Sequence, residues 1–126
     1  LIVAECLIKI MGIDWRWGEK YFATKLIDYD PASNNGNWQW VSGGGADSQP
    51  YFRIMNIWTQ GEKYDPKALY IKQWVNELNN VDSKHIHKWY IYYKNEEYKN
   101  IKYREPILDY SEQRKKILEL YKKYVK

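Results

Sequence analysis

Residues 28–40, DYDPASNNGNWQW, combine features that neither a core element nor a solvated loop normally has. Two acids, a proline, four side-chain amides, a glycine and two indoles lie within thirteen positions. The segment is too polar for a core element and too aromatic for an ordinary loop. Pro31 and the Asn/Gly cluster after it predict a loop that ends at a short segment, residues 38–41. We expect this loop to line a binding site.

The two acids of this segment, Asp28 and Asp30, have several chemical interpretations. A calcium-binding loop needs glycine at its sixth position and glutamate at its twelfth, where this chain has Ser33 and Gln39, so that interpretation fails. A pair of hydrolytic carboxylates is a second interpretation. A structural role, in which the acids accept hydrogen bonds from backbone N–H groups around Pro31, is the third. The residues alone leave the last two open.

Motifs on both sides of the segment carry a family resemblance. They are DWRWGEKYF at residues 14–22, DSQPYFRI at 47–54 and TQGEKYDP at 59–66. In this order and spacing, together with residues 28–40, they resemble the flavin-binding domain of the photolyase/cryptochrome family. The resemblance is closest to the photolyases that repair cyclobutane pyrimidine dimers. Residues 70–75 and 106–110 also fit, so it covers nearly the whole chain.

The resemblance implies an all-α fold, the carboxy-terminal portion of the helical flavin-binding domain with long functional loops. Residues 1–126 would form one partial domain. The upstream half of that domain and the amino-terminal antenna domain have no counterpart in this sequence. We therefore interpret the chain as a fragment, which the absence of an initiator methionine also favours.

The resemblance also implies a cofactor, FAD, and residues that bind it. In the family, the acids matching Asp28 and Asp30 hydrogen-bond the flavin ring and ribose. The asparagine matching Asn34 lies against the flavin nitrogen that gains or loses a proton, where hydrogen bonds tune the cofactor's electronics. Plant and animal cryptochromes tend to carry other residues at that position, so Asn34 favours a repair enzyme.

Three tryptophans and an arginine complete the predicted site. Burial statistics alone would make Trp15 and Trp38 ordinary core residues. The resemblance implies that they pass electrons to the photoexcited flavin. Trp40 matches the indole that packs against damaged bases flipped out of the duplex, a role that suits an aromatic side chain. Arg53 is either an internal ion-pair partner or a phosphate contact.

The implied activity is light-driven repair of cyclobutane pyrimidine dimers by a carbon–carbon lyase, with damaged DNA as partner. Because the upstream half supplies the flavin diphosphate contacts, we expect FAD binding only together with that half, for which a partner chain is one possible source. We expect no antenna pigment on this chain and no activity from it alone. The alternatives are a cryptochrome-like blue-light photoreceptor and an inactive or split-gene photolyase remnant.

Bulk composition is compatible with this interpretation. The net charge of +4 and the pI near 9.0 favour polyanionic partners. Aromatic residues make up 17% of the chain, which suits stacking cavities. One cysteine, Cys6, excludes a disulfide framework and favours a reducing, intracellular location. No apolar run is long enough to cross a bilayer, so the sequence predicts a soluble protein without a membrane partner.

Local signals predict the helices. Residues 1–11 are broadly helical and end at Gly12, and Asp14 caps a helix over residues 15–27 in which Phe22 and Leu26 are buried. Asp65 and Pro66 begin another helix over residues 67–74. Ser111 caps a last helix in which residues 117, 118, 120 and 121 face inward. His85 and His87 lack other metal ligands at suitable spacing, so we predict them at the surface, with no metal site.

Overall fold

The computed structural model of the chain describes residues 1–46 and 53–124. These residues form helices and turns without any β-strand, which confirms the predicted all-α class. A π-helical turn, Cys6–Ile10, continues the first helix, and 3₁₀ turns occur at Asn76–Leu78 and Glu96–Tyr98. The α-helices of the described residues are α1 (Ile2–Glu5), α2 (Trp15–Lys25), α3 (Pro31–Val41), α4 (Ile57–Tyr64), α5 (Leu69–Trp74), α6 (Ser83–His87), α7 (Trp89–Tyr92) and α8 (Tyr110–Tyr124).

The backbone contacts divide the chain into two compact units. Unit 1 contains Leu1–Met55 and Tyr110–Lys126, and unit 2 contains Asn56–Asp109. The buried core of unit 1 consists of Ala4, Trp38 and Val41, with Leu7, Ile8, Trp15 and Phe22 packed against it. The core of unit 2 is built from Ala68, Leu78, Val81, Ile86, Trp89 and Tyr98. A single partial domain over residues 1–126 stays a prediction.

Helix α2 begins as the sequence predicts. The Asp14 carboxylate accepts a hydrogen bond from the Arg16 backbone N–H at 2.9 Å, and Gly12 ends the preceding turn with φ of +70°. The helix ends at Lys25 rather than residue 27, and Leu26 is exposed. Phe22 packs against the core as predicted, whereas the prediction for Leu26 was wrong.

Residues 31–41 are helical, so the predicted loop was wrong. Pro31 occupies the first turn of α3, where its missing N–H breaks no hydrogen bond. The Asp30 carboxylate caps this turn by accepting the Ser33 backbone N–H at 2.7 Å. Asn34, Trp38 and Val41 follow at helical spacing and are buried. Burial of this stripe outweighs the poor helix propensity of the asparagines and glycine.

In unit 2, Asp65 organises the entrance to α5. Its carboxylate accepts the backbone N–H groups of Leu69 at 2.8 Å and Ile71 at 3.1 Å, and the buried Ala68 directly before Leu69 has a left-handed φ of +52°. The acid therefore satisfies the first turn of α5 from a position outside the helix. The N-cap is Ala68 and the helix starts at Leu69, so the predicted start at Asp65 and Pro66 was wrong. His87 Nε2 hydrogen-bonds the Asp65 carbonyl oxygen at 2.7 Å.

The surface prediction for the two histidines was wrong. His87 is 5% exposed, and its burial is tolerated because its ring Nε2 hydrogen-bonds the Asp65 carbonyl oxygen. His85 is half-buried, stacked on Tyr92 with ring centroids 4.1 Å apart and hydrogen-bonded to the Tyr98 hydroxyl. Both rings are therefore structural parts of unit 2.

The last helix, α8, is close to its predicted position. It begins at Tyr110, one residue before the predicted cap Ser111. Ile117, Leu118 and Tyr121 are partly buried, but Leu120 is 52% exposed, so its predicted inward orientation was wrong. The Ile117 side chain lies near Gly12, which places α8 beside the π-helical turn of unit 1.

Candidate functional site

A cavity of about 610 Å³ lies within unit 1, and its volume is within the range of small-molecule and cofactor sites. The start of the chain, the end of α2, the α2–α3 connection and one face of α3 form its wall. Most of the residues predicted to bind a ligand meet here. The lining residues are Leu1, Ala4, Phe22, Leu26, Asp28, Asp30, Ser33, Asn34, Asn37, Trp38, Trp40 and Val41.

Helical spacing brings the side chains of α3 to this cavity. Asn34 and Trp38 are one turn apart and buried, whereas Ser33, Asn37 and Trp40 repeat the spacing on the more exposed flank. The Asn37 side-chain amide donates to the Ser33 carbonyl oxygen at 2.7 Å. A loop would not hold these side chains in fixed register, so the helix that the sequence failed to predict is what orders the site.

The Asn34 amide is held at both of its polar atoms. Its Oδ1 accepts the Trp38 indole N–H at 3.1 Å, and its Nδ2 donates to the Glu19 carbonyl oxygen at 3.0 Å and to the Glu19 carboxylate at 3.3 Å. Asn34 is only 8% exposed, so these bonds compensate for its burial. The network links α2 to α3 at the bottom of the cavity.

Two carboxylates give the cavity its electrostatic character. One Asp30 oxygen accepts the Ser33 N–H, and Asp28 makes no hydrogen bond or ion pair within the described residues. Both acids are exposed on the cavity wall, where they can accept hydrogen bonds from a ligand. Among the described lining residues none is a lysine or arginine. The wall therefore suits a donor-bearing ring or sugar better than a phosphate group.

Trp38 forms the inner wall and is almost completely buried. It is 3% exposed, and its ring meets Phe22 edge to face with ring centroids 5.0 Å apart. Gly18 on α2 permits this packing, because a Cβ there would lie 2.2 Å from Trp38 Cη2. The indole position thus depends on a glycine that sequence reasoning did not single out.

Trp15 and Arg53 do not line the cavity. Trp15 is partly buried against the core that contains Trp38, and it lines a separate cavity of about 440 Å³ beside α8. Arg53 is exposed. Residues 47–52 of its motif lie outside the described residues. Trp40 lines the ligand cavity and is 42% exposed, so its indole is accessible from solvent.

Sequence reasoning missed Glu19 and Gly18. Both belong to the DWRWGEKYF motif, which supported the family resemblance without assigning them a role. Their importance comes from contacts with α3, and helical spacing within α2 gives no sign of those contacts.

The described residues contain neither a metal-binding cluster nor a membrane-spanning helix. No group of three or more His, Cys, Asp or Glu side chains is positioned to hold a metal ion. Within residues 1–46 and 53–124, no helix combines the length and the apolar character needed to cross a bilayer.

Comparison with known proteins identifies the family of this fold. The family model described as the FAD binding domain of DNA photolyase matches residues 1–123. The chain belongs to this family. Its cavity-lining acids, amide and indoles therefore lie in a photolyase-type FAD-binding domain.

Individual relatives support the assignment. The chain is 47% identical over 122 residues to the deoxyribodipyrimidine photo-lyase of Vibrio cholerae, covering 97% of this chain and 25% of that protein. An archaeal photolyase from Sulfolobus tokodaii, solved with two FAD molecules, is similar with a TM-score of 0.83 and 46% identity. That match covers 96% of this chain and 26% of the archaeal one. The chain thus spans about a quarter of the length of these photolyases.

A cryptochrome has a similar fold. The Synechocystis cryptochrome matches with a TM-score of 0.83 and 34% identity, covering 93% of this chain and 25% of that one. Photolyases and a cryptochrome thus share this helical arrangement. The fold is compatible with both functions, so only the side chains of the cavity can distinguish them.

Proposed function

We propose that this chain forms part of a light-driven DNA photolyase and binds the ring and ribose portion of FAD in the unit 1 cavity. The observation that carries the proposal is the meeting of Asp28, Asp30 and Asn34 on one wall beside the Trp38 indole. Two carboxylates can accept hydrogen bonds from the donor groups of a flavin ring and its ribose hydroxyls. When bound, FAD would supply the light absorption and the electron that open a cyclobutane pyrimidine dimer.

The cavity does not offer what the diphosphate of FAD requires. Its described lining has two acids and no cation, and the N-terminus of α3, a potential anion site, is capped by the Asp30 carboxylate. We infer that the phosphates are bound by the upstream half of the domain, supplied either by a partner chain or by a longer form of this protein. Tight FAD binding and repair then need both parts.

Trp38 and Trp15 are the proposed electron donors to the flavin. Trp38 lines the cavity, and Trp15 packs against the same hydrophobic core. Burial of Trp38 keeps water from its ring, while its N–H remains bonded to Asn34. An electron could therefore pass from the protein side of the cavity toward the ligand.

Trp40 and Arg53 are the proposed DNA contacts. Trp40 combines a place on the cavity wall with solvent access, as stacking against a flipped pyrimidine pair requires. Arg53 is exposed and could contact a backbone phosphate, consistent with the basic net charge. We place the protein inside the cell, where DNA is its substrate and the half-buried Cys6 thiol stays reduced.

The first test is FAD binding at equilibrium, because the chain without the upstream half should bind FAD only weakly. The purified chain is titrated with FAD, and the dissociation constant is measured from flavin fluorescence for the wild type, D28N, D30N and D82N. We expect weaker binding in D28N and D30N, because each loses an acceptor charge. D82N should match the wild type, since Asp82 is an exposed cap in unit 2. Equal binding by all four proteins would place the flavin elsewhere.

A second test separates repair from photoreception. Flavin-loaded protein is illuminated with blue light in the presence of dimer-containing DNA, and the loss of dimers is measured for the wild type and W40A. Repair that W40A abolishes supports the photolyase. Flavin photoreduction without repair supports the cryptochrome-like alternative. If no flavin is retained, the chain is a remnant or needs its partner chain.

A further inference from the structure

The donor and acceptor groups around Asn34 fix the orientation of its side-chain amide. Trp38 Nε1–H is only a donor, so the atom facing it at 3.1 Å must be the amide oxygen. The Glu19 carbonyl is only an acceptor, so the atom facing it at 3.0 Å must be the amide nitrogen. A flipped amide would place donor against donor and acceptor against acceptor.

The amide nitrogen has as many acceptors as hydrogens. It carries two hydrogens, and Glu19 offers its main-chain oxygen at 3.0 Å and its carboxylate Oε1 at 3.3 Å. The amide oxygen has a second lone pair after accepting the Trp38 N–H. What Asn34 can still offer a ligand in the cavity is therefore an acceptor.

We propose that Glu19 is a positioning residue: its carboxylate engages the second amide hydrogen of Asn34, so that Asn34 faces the cavity purely as a hydrogen-bond acceptor. The inference rests on the proposed function in taking flavin as the ligand. An acceptor at this position favours a flavin whose redox-active nitrogen is protonated over the oxidised form, in which that nitrogen carries no hydrogen and would need a donor. Glu19, which need not touch the cofactor, thereby biases the site toward reduced flavin.

The first arm of the test needs no flavin. Exchange of the two Asn34 side-chain amide hydrogens with solvent is followed by NMR in the wild type, E19A and E19Q. We expect one hydrogen to exchange at least tenfold faster in E19A, because it loses its acceptor. E19Q keeps an acceptor oxygen at the same position and should match the wild type. Unchanged exchange in E19A, or equal acceleration in E19A and E19Q, would overturn the proposal.

The Trp38 indole N–H resonance reports whether each variant keeps the local fold. If E19A loses that resonance, E19D takes its place, because shortening the side chain by one methylene also withdraws the carboxylate from Asn34. Acceleration in E19D with the indole resonance retained supports the proposal. Wild-type exchange in E19D contradicts it.

The second arm measures the midpoint potential of bound flavin. We expect E19A to disfavour the reduced form by about tenfold, or about 30 mV for a two-electron couple, and E19Q to keep the wild-type potential. Equal potentials in all three proteins would overturn the inference. If the chain alone binds no FAD, the potential is measured with the upstream half of the domain added. If FAD does not bind then either, the proposed flavin site fails, and the NMR arm still decides the role of Glu19.

Discussion

At the scale of single residues, Gly18 is the position where the chain has least room. A Cβ there would lie 2.2 Å from Trp38 Cη2 and 2.8 Å from Leu7 Cδ2. Overpacking of this kind costs about 1–3 kcal/mol, because the rigid indole must move. Replacing a helical glycine offsets about 1 kcal/mol of that cost, so we expect G18A to lower the free energy of unfolding by up to about 2 kcal/mol. Urea denaturation measures the difference.

Gly36 provides the matched control. It is an exposed glycine inside α3, and a Cβ there would meet no atom within 4 Å. G36A should therefore stabilise the chain by about 0.5–1 kcal/mol through helix propensity alone. If G18A were as stable as G36A, the close packing of Trp38 on α2 would be wrong.

The Asp14 carboxyl should make the free energy of unfolding depend on pH in the acid range. Side-chain and backbone hydrogen bonds from Arg16 lower the pKa of the Asp14 carboxyl to about 2 from 3.8. Because the folded pKa lies below the unfolded one, the contribution is complete above about pH 4 and is lost as the pH falls through 2. We expect D14N to be slightly less stable than the wild type at neutral pH, because Asp14 is fully exposed.

Denaturation of both proteins at pH values between 2 and 6 tests this effect. The difference in the free energy of unfolding between the wild type and D14N should shrink as the pH falls from 4 to 2. A difference that stays constant over this range would mean that the ion pair with Arg16 does not form in solution. Asparagine retains the capping oxygen, so the comparison reports the charge of Asp14 and its hydrogen bonds with the Arg16 guanidinium rather than the helix cap.

Residues whose roles depend on near neighbours were the predictable ones. Asp14 was identified as a cap because its partner is two positions away. Asn34 was identified through the family resemblance, and the structure adds its neighbours. Glu19 meets Asn34 across fifteen residues of sequence, and Gly18 meets Trp38 across twenty. Nothing local in the chain encodes those pairings.

At the scale of elements, α5 depends on Asp65. Its carboxylate accepts the Leu69 and Ile71 N–H groups with separate oxygens, beside the left-handed Ala68. D65N replaces one acceptor oxygen with a donor NH₂ group, so one backbone N–H loses its partner. We expect a loss of about 1–3 kcal/mol in the free energy of unfolding, measured with urea.

D82N is the control for this prediction. Among the described residues, the Asp82 carboxylate accepts one backbone N–H, that of Lys84 at 2.8 Å, and an asparagine keeps that oxygen. Its effect should stay within about 0.5 kcal/mol, since asparagine and aspartate are comparable N-caps. Equal losses in D65N and D82N would show that the second acceptor of Asp65 contributes nothing.

Helix α3 shows why element type was harder to predict than element position. Pro31 and the Asn/Gly cluster argue for a loop when each residue is judged by its own propensity. Proline is also compatible with a first helical turn, and Asp30 directly before it is a good cap. The choice between loop and helix depends on burial of Asn34, Trp38 and Val41, which is a tertiary effect.

At the scale of the whole molecule, the sequence predicted the helical class but not the grouping of the helices. Helix α8 lies at the end of the chain and joins residues 1–55 in unit 1, whereas residues 56–109 form unit 2. Local sequence patterns do not show that the last helix packs with the first part of the chain. The buried histidine of unit 2 was missed for a similar reason, because its partner, the Asp65 carbonyl, is twenty-two residues away.

Because every described residue that lines the proposed flavin cavity belongs to unit 1, FAD should protect the two units unequally. A ligand at one hundred times its Kd stabilises the form that binds it by about 2.7 kcal/mol, which slows the opening of that form about one-hundredfold. Saturating FAD should therefore slow hydrogen exchange at those α3 amides that exchange through local opening. The exchange rates are measured with and without FAD. Amides of α6 and α7 in unit 2 serve as the internal control. Equal slowing in both units would contradict a cavity confined to unit 1, and no slowing in α3 would contradict flavin binding there.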